Sequence, residues 1–216
     1  MDQSNWHAVN YILHKEAEEL KKANCDMIAI ASNTLNKFAT NVSNNLNIPV
    51  IPIGKSIAKE AVSKGVERLG ILGTKPTMDE RFIKDSVEKS GISTRVPEKI
   101  GRLYIHKTIF EELTKGIILD KSRDTFIEII KYMQTVMGID GIALACTEIG
   151  ELISQSDLEE RGINMPVIDS TVAHTSDIAD IIIDDYNKPK ELRIGARHYD
   201  TRAGKHSFKG SMYFQG

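Results

Sequence analysis

One plan occurs twice in this chain and constrains its fold more than any other feature: a continuous apolar run that stops abruptly at a polar triplet. It is seen first as Met27-Ile28-Ala29-Ile30-Ala31 before Ser32-Asn33-Thr34. It returns as Gly141-Ile142-Ala143-Leu144-Ala145 before Cys146-Thr147-Glu148. Unbroken apolar runs of this length suit strands buried on both faces, the pattern of parallel sheets covered by helices. Each run follows a helical segment and a short turn, so residues 18–34 and 129–147 share the order helix, turn, buried strand, polar triplet.

The segments between keep the alternation. Residues 6–22 carry Trp6, Val9, Leu13, Ala17 and Leu20 at helical spacing. Ile48 to Ile53 reads as a short strand whose prolines disfavour an interior sheet position. Helix is expected from Ser56 to about Lys64. A strand at Glu67 to Thr74 ends in a glycine turn, with Thr77 placed to cap the next helix. A strand at Ser93 to Val96, helices at 103–114 and 122–137, a last strand at Val167 to Asp169 and a closing helix at 171–185 complete the pattern. Strands alternating with helices imply right-handed crossovers and parallel sheets. In such sheets ligands bind beyond the carboxyl ends of the strands.

Bulk properties exclude several classes. With 28 basic and 30 acidic residues the net charge is -2, which offers no case for nucleic acid. No apolar run approaches the roughly 20 residues needed to span a bilayer, and the polar start lacks the apolar core of a signal peptide. Cys25 and Cys146 sit far apart in sequence and show no metal or disulfide spacing, so the simplest reading is a reduced, cytoplasmic setting.

Two readings of each polar triplet stand side by side. Cys146 opens a helix whose free N–H groups lower a thiol pKa from its usual value of about 8.5, or it is a small apolar filler. Ser32-Asn33-Thr34 offers donors for a carboxylate, or it is an ordinary helix cap.

The two segments together resemble the paired signatures of the aspartate/glutamate racemase family. The resemblance extends over most of residues 6–185. It includes Leu72-Gly73-Thr74-Lys75-Pro76-Thr77-Met78, Ile109 to Gly116 and Ile168-Asp169-Ser170-Thr171. It implies an α/β fold of two similar lobes, each a parallel sheet flanked by helices, with the site in the cleft between the carboxyl ends of the strands. The expected division is a first lobe at 1–53, with 156–187 returning to it, a second lobe at 54–155, and a basic tail at 188–216.

The resemblance also implies chemistry. Racemisation removes the Cα proton from one face and returns a proton to the other. In this family two cysteines share that work without a cofactor or metal, so paired acid/base groups and oxyanion donors carry the burden. Cys146 is then the acid/base on one face and Ser32 its counterpart. Asn33, Thr34 and Thr147 would hold the α-carboxylate, with Glu148 also on the substrate-binding side. Thr74 and Thr77 lie in a turn that faces the family's cleft. Lys115 matches a lysine that pairs with the distal carboxylate, and it reads equally as an exposed lysine ending a helix. Related proteins are often dimers, so a homodimer is implied.

Three departures accompany the resemblance. The first family cysteine is Ser32, and a hydroxyl forms no standing base near neutral pH. The usual histidine two positions after Asn-Thr is Asn36, while His174 matches a family position and reads equally as structural. The chain also starts where the family is well under way, without a first strand, a helix and a second strand, and without an arginine for the substrate carboxylate. A truncated first lobe is therefore expected, covered by dimerisation or by the tail. That tail is basic; Arg193, Arg197 or Arg202 could replace the arginine, and its closing Tyr213-Phe214-Gln215-Gly216 looks like a tag remnant.

The expected activity is a cofactor-independent isomerase of a small acidic amino acid, aspartate or glutamate, by Cα proton abstraction and return. Beside it stand a single-cysteine decarboxylase or isomerase of a small dicarboxylate, and a degenerate member that binds without turnover.

Overall fold

The computed structural model describes residues 3–188 together with Ile194. Apart from Lys188 and Ile194, the basic tail and its candidate arginines lie outside the described residues.

The amino-terminal part is built on a small sheet. Helix α1 (Gln3–Lys22) leads to strand β1 (Ile28–Ala29). A 3₁₀ turn (Thr34–Phe38), helix α2 (Ala39–Leu46) and strand β2 (Val50–Ile51) follow. The two strands are parallel, with Ile28 opposite Val50. Both are shorter than their apolar runs. The ladder stops where Pro49 and Pro52 flank β2, because proline has no N–H to donate. Ile30 and Ile48 are nonetheless buried, in a core completed by Ala17, Val42 and Leu46.

Helix α3 (Ile53–Ser63) begins three residues before Ser56, because Pro52 supplies the extended residue at its start. Beyond it lies the larger sheet, made of β3 (Arg68–Gly73), β4 (Ser93–Arg95), β5 (Gly141–Ala145) and β6 (Val167–Asp169). All pairs are parallel, in the order β4-β3-β5-β6. The connections are helices: α4 (Lys75–Asp79) and α5 (Phe82–Glu88), then α6 (Lys99–Glu111), a 3₁₀ turn (Leu113–Lys115) and α7 (Asp120–Met137). After β5 come α8 (Ile149–Leu152) and α9 (Gln155–Glu160), and after β6 comes α10 (Ser170–Asn187). Among the described residues no helix is long and apolar enough to cross a membrane.

The alternation of side chains along β5 divides the core of this sheet in two. Ile142 and Leu144 join Leu72, Phe126, Ile130 and Met133 on one face. Ala143 and Ala145 join Ile53, Ile57, Ile71 and Ile168 on the other. Phe126 is fully buried and meets Tyr104 edge-on at 6.2 Å. Phe126→Ala should cost about 3–5 kcal/mol, read as a lower midpoint in urea unfolding.

The segment 156–187 holds most of α9, then β6 and α10. Its strand β6 pairs with β5, whose buried edge needs a hydrogen-bonding partner. Helix α10 packs on α3, and His174 Nε2 lies 3.0 Å from the carbonyl of Ile51 in the small sheet. Burial holds His174 below the ordinary histidine range, so it bonds this carbonyl as a neutral imidazole.

Candidate functional site

The two polar triplets are brought together through a third strand end. β3 and β5 pair as far as Gly73 and Ala145. Thr74 and Cys146 are therefore the first residues beyond the ladder on adjacent strands, whose axes stand about 4.8 Å apart. From the small sheet, Thr34 Oγ1 reaches Thr74 Oγ1 at 2.8 Å. Thr74 Oγ1 in turn lies 3.0 Å from Thr77 Oγ1. This run of hydroxyls carries the Ser32-Asn33-Thr34 loop onto the carboxyl edge of the large sheet, one strand from Cys146.

Gly73 makes the approach possible. A Cβ there would lie 2.6 Å from the Ala145 carbonyl oxygen and 2.8 Å from Thr77 Cγ2. Thr77 does not cap the helix that follows the strand. That helix, α4, starts at Lys75 with Thr74 in the capping position, and Thr77 is wholly buried within it.

The three residues of the first triplet have separate tasks. Ser32 is half-buried, and its Oγ accepts a long hydrogen bond of 3.4 Å from the Leu35 N–H, as a cap does. Asn33 is buried and donates through Nδ2 to Ser170 Oγ at 2.9 Å. Its Oδ1 is buried with no hydrogen-bond partner among the described residues. Thr34 makes the bond to Thr74. Behind the loop, Asn36 donates from Nδ2 to the carbonyls of Ile30 (2.9 Å) and Ser32 (2.8 Å) and accepts the Ile53 N–H at 2.9 Å. The residue that replaces the expected histidine is thus a staple for the loop.

At the second triplet the Cys146 thiol donates to Glu148 Oε2 at 2.9 Å. Burial and the neighbouring Glu148 carboxylate push the thiol up to about 12, against weaker help for the thiolate from the backbone N–H groups of Glu148 and Ile149. This reverses the lowered thiol pKa expected from a helix start. The helix concerned, α8, spans four residues, and its donors are outweighed by desolvation. Burial also disfavours charge on Glu148. Hydrogen bonds from Cys146, from the Thr147 side chain and from its own N–H nevertheless hold its carboxyl below the usual range. The resting pair is a thiol beside a carboxylate.

Glu148, expected on the substrate side, thus points its carboxylate at the thiol. Thr147 is exposed beside it. Lys115 is exposed in the 3₁₀ turn that packs against α8, and its ammonium has no partner among the described residues. Ser170 enters the sequence reading only within the Ile168-Asp169-Ser170-Thr171 segment, with no role of its own. It is fully buried, and its hydroxyl receives Asn33 from 137 positions away. The signal for it is Asp169, a strand-end residue that caps α10 by accepting the Thr171 N–H at 2.7 Å and fixes Ser170 at the same sheet edge. Among the described residues no group of three or more His, Cys, Asp or Glu side chains gathers as a metal site.

The profile of the Asp/Glu/Hydantoin racemase family matches residues 1–178. The chain belongs to that family. A crystal structure from Yersinia pestis, of a protein assigned provisionally as an Asp/Glu racemase, superposes with a TM-score of 0.74 at 31% identity, covering 84% of this chain and 76% of that one. An aspartate racemase homologue from Pyrococcus horikoshii gives 0.71 at 29% identity, over 83% and 76% of the two chains. A glutamate racemase of Actinobacillus pleuropneumoniae is 26% identical over 137 residues, 63% of this chain. The chain spans about half the length of that curated relative, 49%. For a member of the racemase family, then, the geometry is a sheet edge with one thiol–carboxylate pair, a line of threonine hydroxyls, and a serine hydroxyl on the neighbouring loop.

Proposed function

We propose that the chain is a cofactor-independent racemase-type isomerase that exchanges the Cα proton of a small acidic amino acid, aspartate or glutamate. The observation that carries this reading is the Thr34–Thr74 hydrogen bond at 2.8 Å, which holds the two strand-end motifs at one edge.

In the proposed reaction the Glu148 carboxylate accepts the proton of the Cys146 thiol as the substrate displaces water. The thiolate takes the Cα proton, and the electron pair of the broken C–H bond passes into the α-carboxylate as an enediolate. Hydroxyls of Thr34, Thr74 and Thr147 donate to those oxygens, where the developing charge is greatest. Return of a proton from the thiol to the same face gives exchange, after which Glu148 hands its proton back to the thiolate. A proton from water beside Ser32 to the opposite face gives inversion, and the hydroxide left behind takes the Glu148 proton. Lys115 is the cation for the distal carboxylate.

The buried acceptor Asn33 Oδ1 supports an amino acid over a plain dicarboxylate. An unpaired buried carbonyl costs about 1–3 kcal/mol. Once the loop admits a ligand, an α-ammonium supplies the missing donor, and a dicarboxylate does not.

The pair exists on one face only. Among the described residues the Ser32 hydroxyl is bonded to no base, so return of a proton to the opposite face is the slow step. In deuterated water, deuterium should therefore enter the α-position of one enantiomer faster than that enantiomer racemises, read by NMR and by chiral chromatography. No exchange with either enantiomer of aspartate or glutamate, in folded protein, would overturn the reading. Carbon dioxide release from a substituted malonate, lost in Cys146→Ala, would replace it with the one-thiol decarboxylase.

A further inference from the structure

A groove of about 500 Å³ lies behind the strand-end loop, between the 3₁₀ turn at Thr34–Phe38 and helices α3 and α5. Four lysines line it: Lys37 from the turn, Lys55 and Lys59 from α3, and Lys89 at the end of α5. Its one acidic side chain is Asp85.

The charges are unevenly satisfied. Lys37 is bound to Glu80 at 2.7 Å and stacks on Trp6, 4.2 Å from the ring centre. Lys59 is held by Asp177 and Asp180, each at 2.9 Å. Asp85 is engaged by Arg81 at 2.7 Å. Lys55 and Lys89 have no ion-pair partner among the described residues, and both are exposed. They stand close to one helix crossing. A Cβ on Gly54 would be 3.0 Å from Ser86 Cβ, so α3 and α5 touch there. Lys55 adjoins that contact, and Lys89 lies three residues beyond it, on the same side of α5. Thr40 and Ser90 add hydroxyls, while Pro52 and Phe82 add apolar surface.

Two ammonium groups without ion-pair partners among the described residues line one groove, and a dianion there would complement both. Lysine binds phosphate as a point charge. The volume is within the range of about 300–1,000 Å³ found for small-molecule sites, which join an apolar wall to a few polar groups. A groove around Arg68 and Asp140 contrasts with this one. There the Asp140 carboxylate accepts the Glu67 and Arg68 N–H groups, and Arg68 bonds the Gly138 carbonyl.

We propose that the groove is a second site, separate from the strand-end cleft, that binds a small phosphorylated metabolite with its phosphate between Lys55 and Lys89. The same groove is lined by Asn36, whose side chain holds the carbonyls of Ile30 and Ser32. A ligand seated there touches the residue that fixes the loop carrying Ser32, Asn33 and Thr34.

The test is calorimetric titration of the full chain with adenosine monophosphate and with inorganic phosphate, using succinate as a carboxylate control. Adenosine monophosphate should bind at least tenfold more weakly to Lys55→Gln/Lys89→Gln, while the charge-matched variant Lys121→Gln/Lys131→Gln binds like the parent. Both lysine pairs are exposed, and circular dichroism checks that each variant is folded. Absence of binding, equal binding by the groove variant, or an equal loss in the charge-matched variant overturns the proposal. Succinate binding as tightly as phosphate overturns the phosphate assignment.

Discussion

Cys146→Ala should lower α-proton exchange by about 10²- to 10⁴-fold, the range expected when a positioned acid/base group is removed. The substitution removes little else. Cys146 is buried at the edge of a core that already contains Ile142 and Leu144, so the fold should survive it. Glu148→Gln is the more informative partner, because it should move two readouts in opposite directions. Exchange should fall, since an amide cannot accept the thiol proton. Alkylation of Cys146 should quicken, for the following reason. The Glu148 carboxylate accepts the thiol proton at 2.9 Å and, after burial, contributes to pushing the thiol up to about 12. Taking that anion away lowers the thiol pKa, although burial keeps it above an ordinary cysteine. At any pH between the two values a larger fraction is thiolate, and thiolate is the form that alkylates. Plotting alkylation rate against pH should therefore give a curve displaced to lower pH in Glu148→Gln. Glu148 bound only to substrate predicts the loss of exchange without the displacement.

The contrast between the two strand-end motifs shows what a sequence discloses. β5 matches its apolar run residue for residue, because a strand buried on both faces has no polar position to interrupt it. β1 keeps only two residues of its run, because ladder length depends on the partner, and β2 is closed off by prolines at both ends. The placement of Thr74, Thr34 and Cys146 at one edge follows from parallel strands ending together. The contact between Thr34 and Thr74 spans 40 positions, and that between Asn33 and Ser170 spans 137, so neither has a local signal. The raised thiol pKa has no local signal for a related reason. A helix start is visible in the residues, but the depth of Cys146 and the direction of the Glu148 carboxylate are set by packing across the sheet. Asn36 was legible as a departure from the family pattern. Its work as a staple for the Ile30 and Ser32 carbonyls was not, because a substitution does not say what it binds.

The asymmetry between the two ends yields the second large effect. Ser32→Cys should raise the ratio of racemisation to exchange by about 10²-fold or more, because it supplies an acid/base group to the face that lacks one. Ser32 is half-buried, and among the described residues its Oγ receives only the long 3.4 Å bond from Leu35, so the larger sulfur displaces little. It also lacks the carboxylate neighbour that raises Cys146. A thiol there should titrate near its ordinary value of about 8.5. The gain in racemisation should then grow as pH rises toward that value and level off above it, whereas a gain independent of pH would argue against a thiolate at position 32. The double variant Ser32→Cys/Cys146→Ala separates the faces. It should exchange the α-proton of the enantiomer that the parent exchanges poorly, and it should racemise neither. If it exchanges the same enantiomer as the parent, then the two strand ends do not face opposite sides of one substrate, and the racemase-type reading fails at its geometric root.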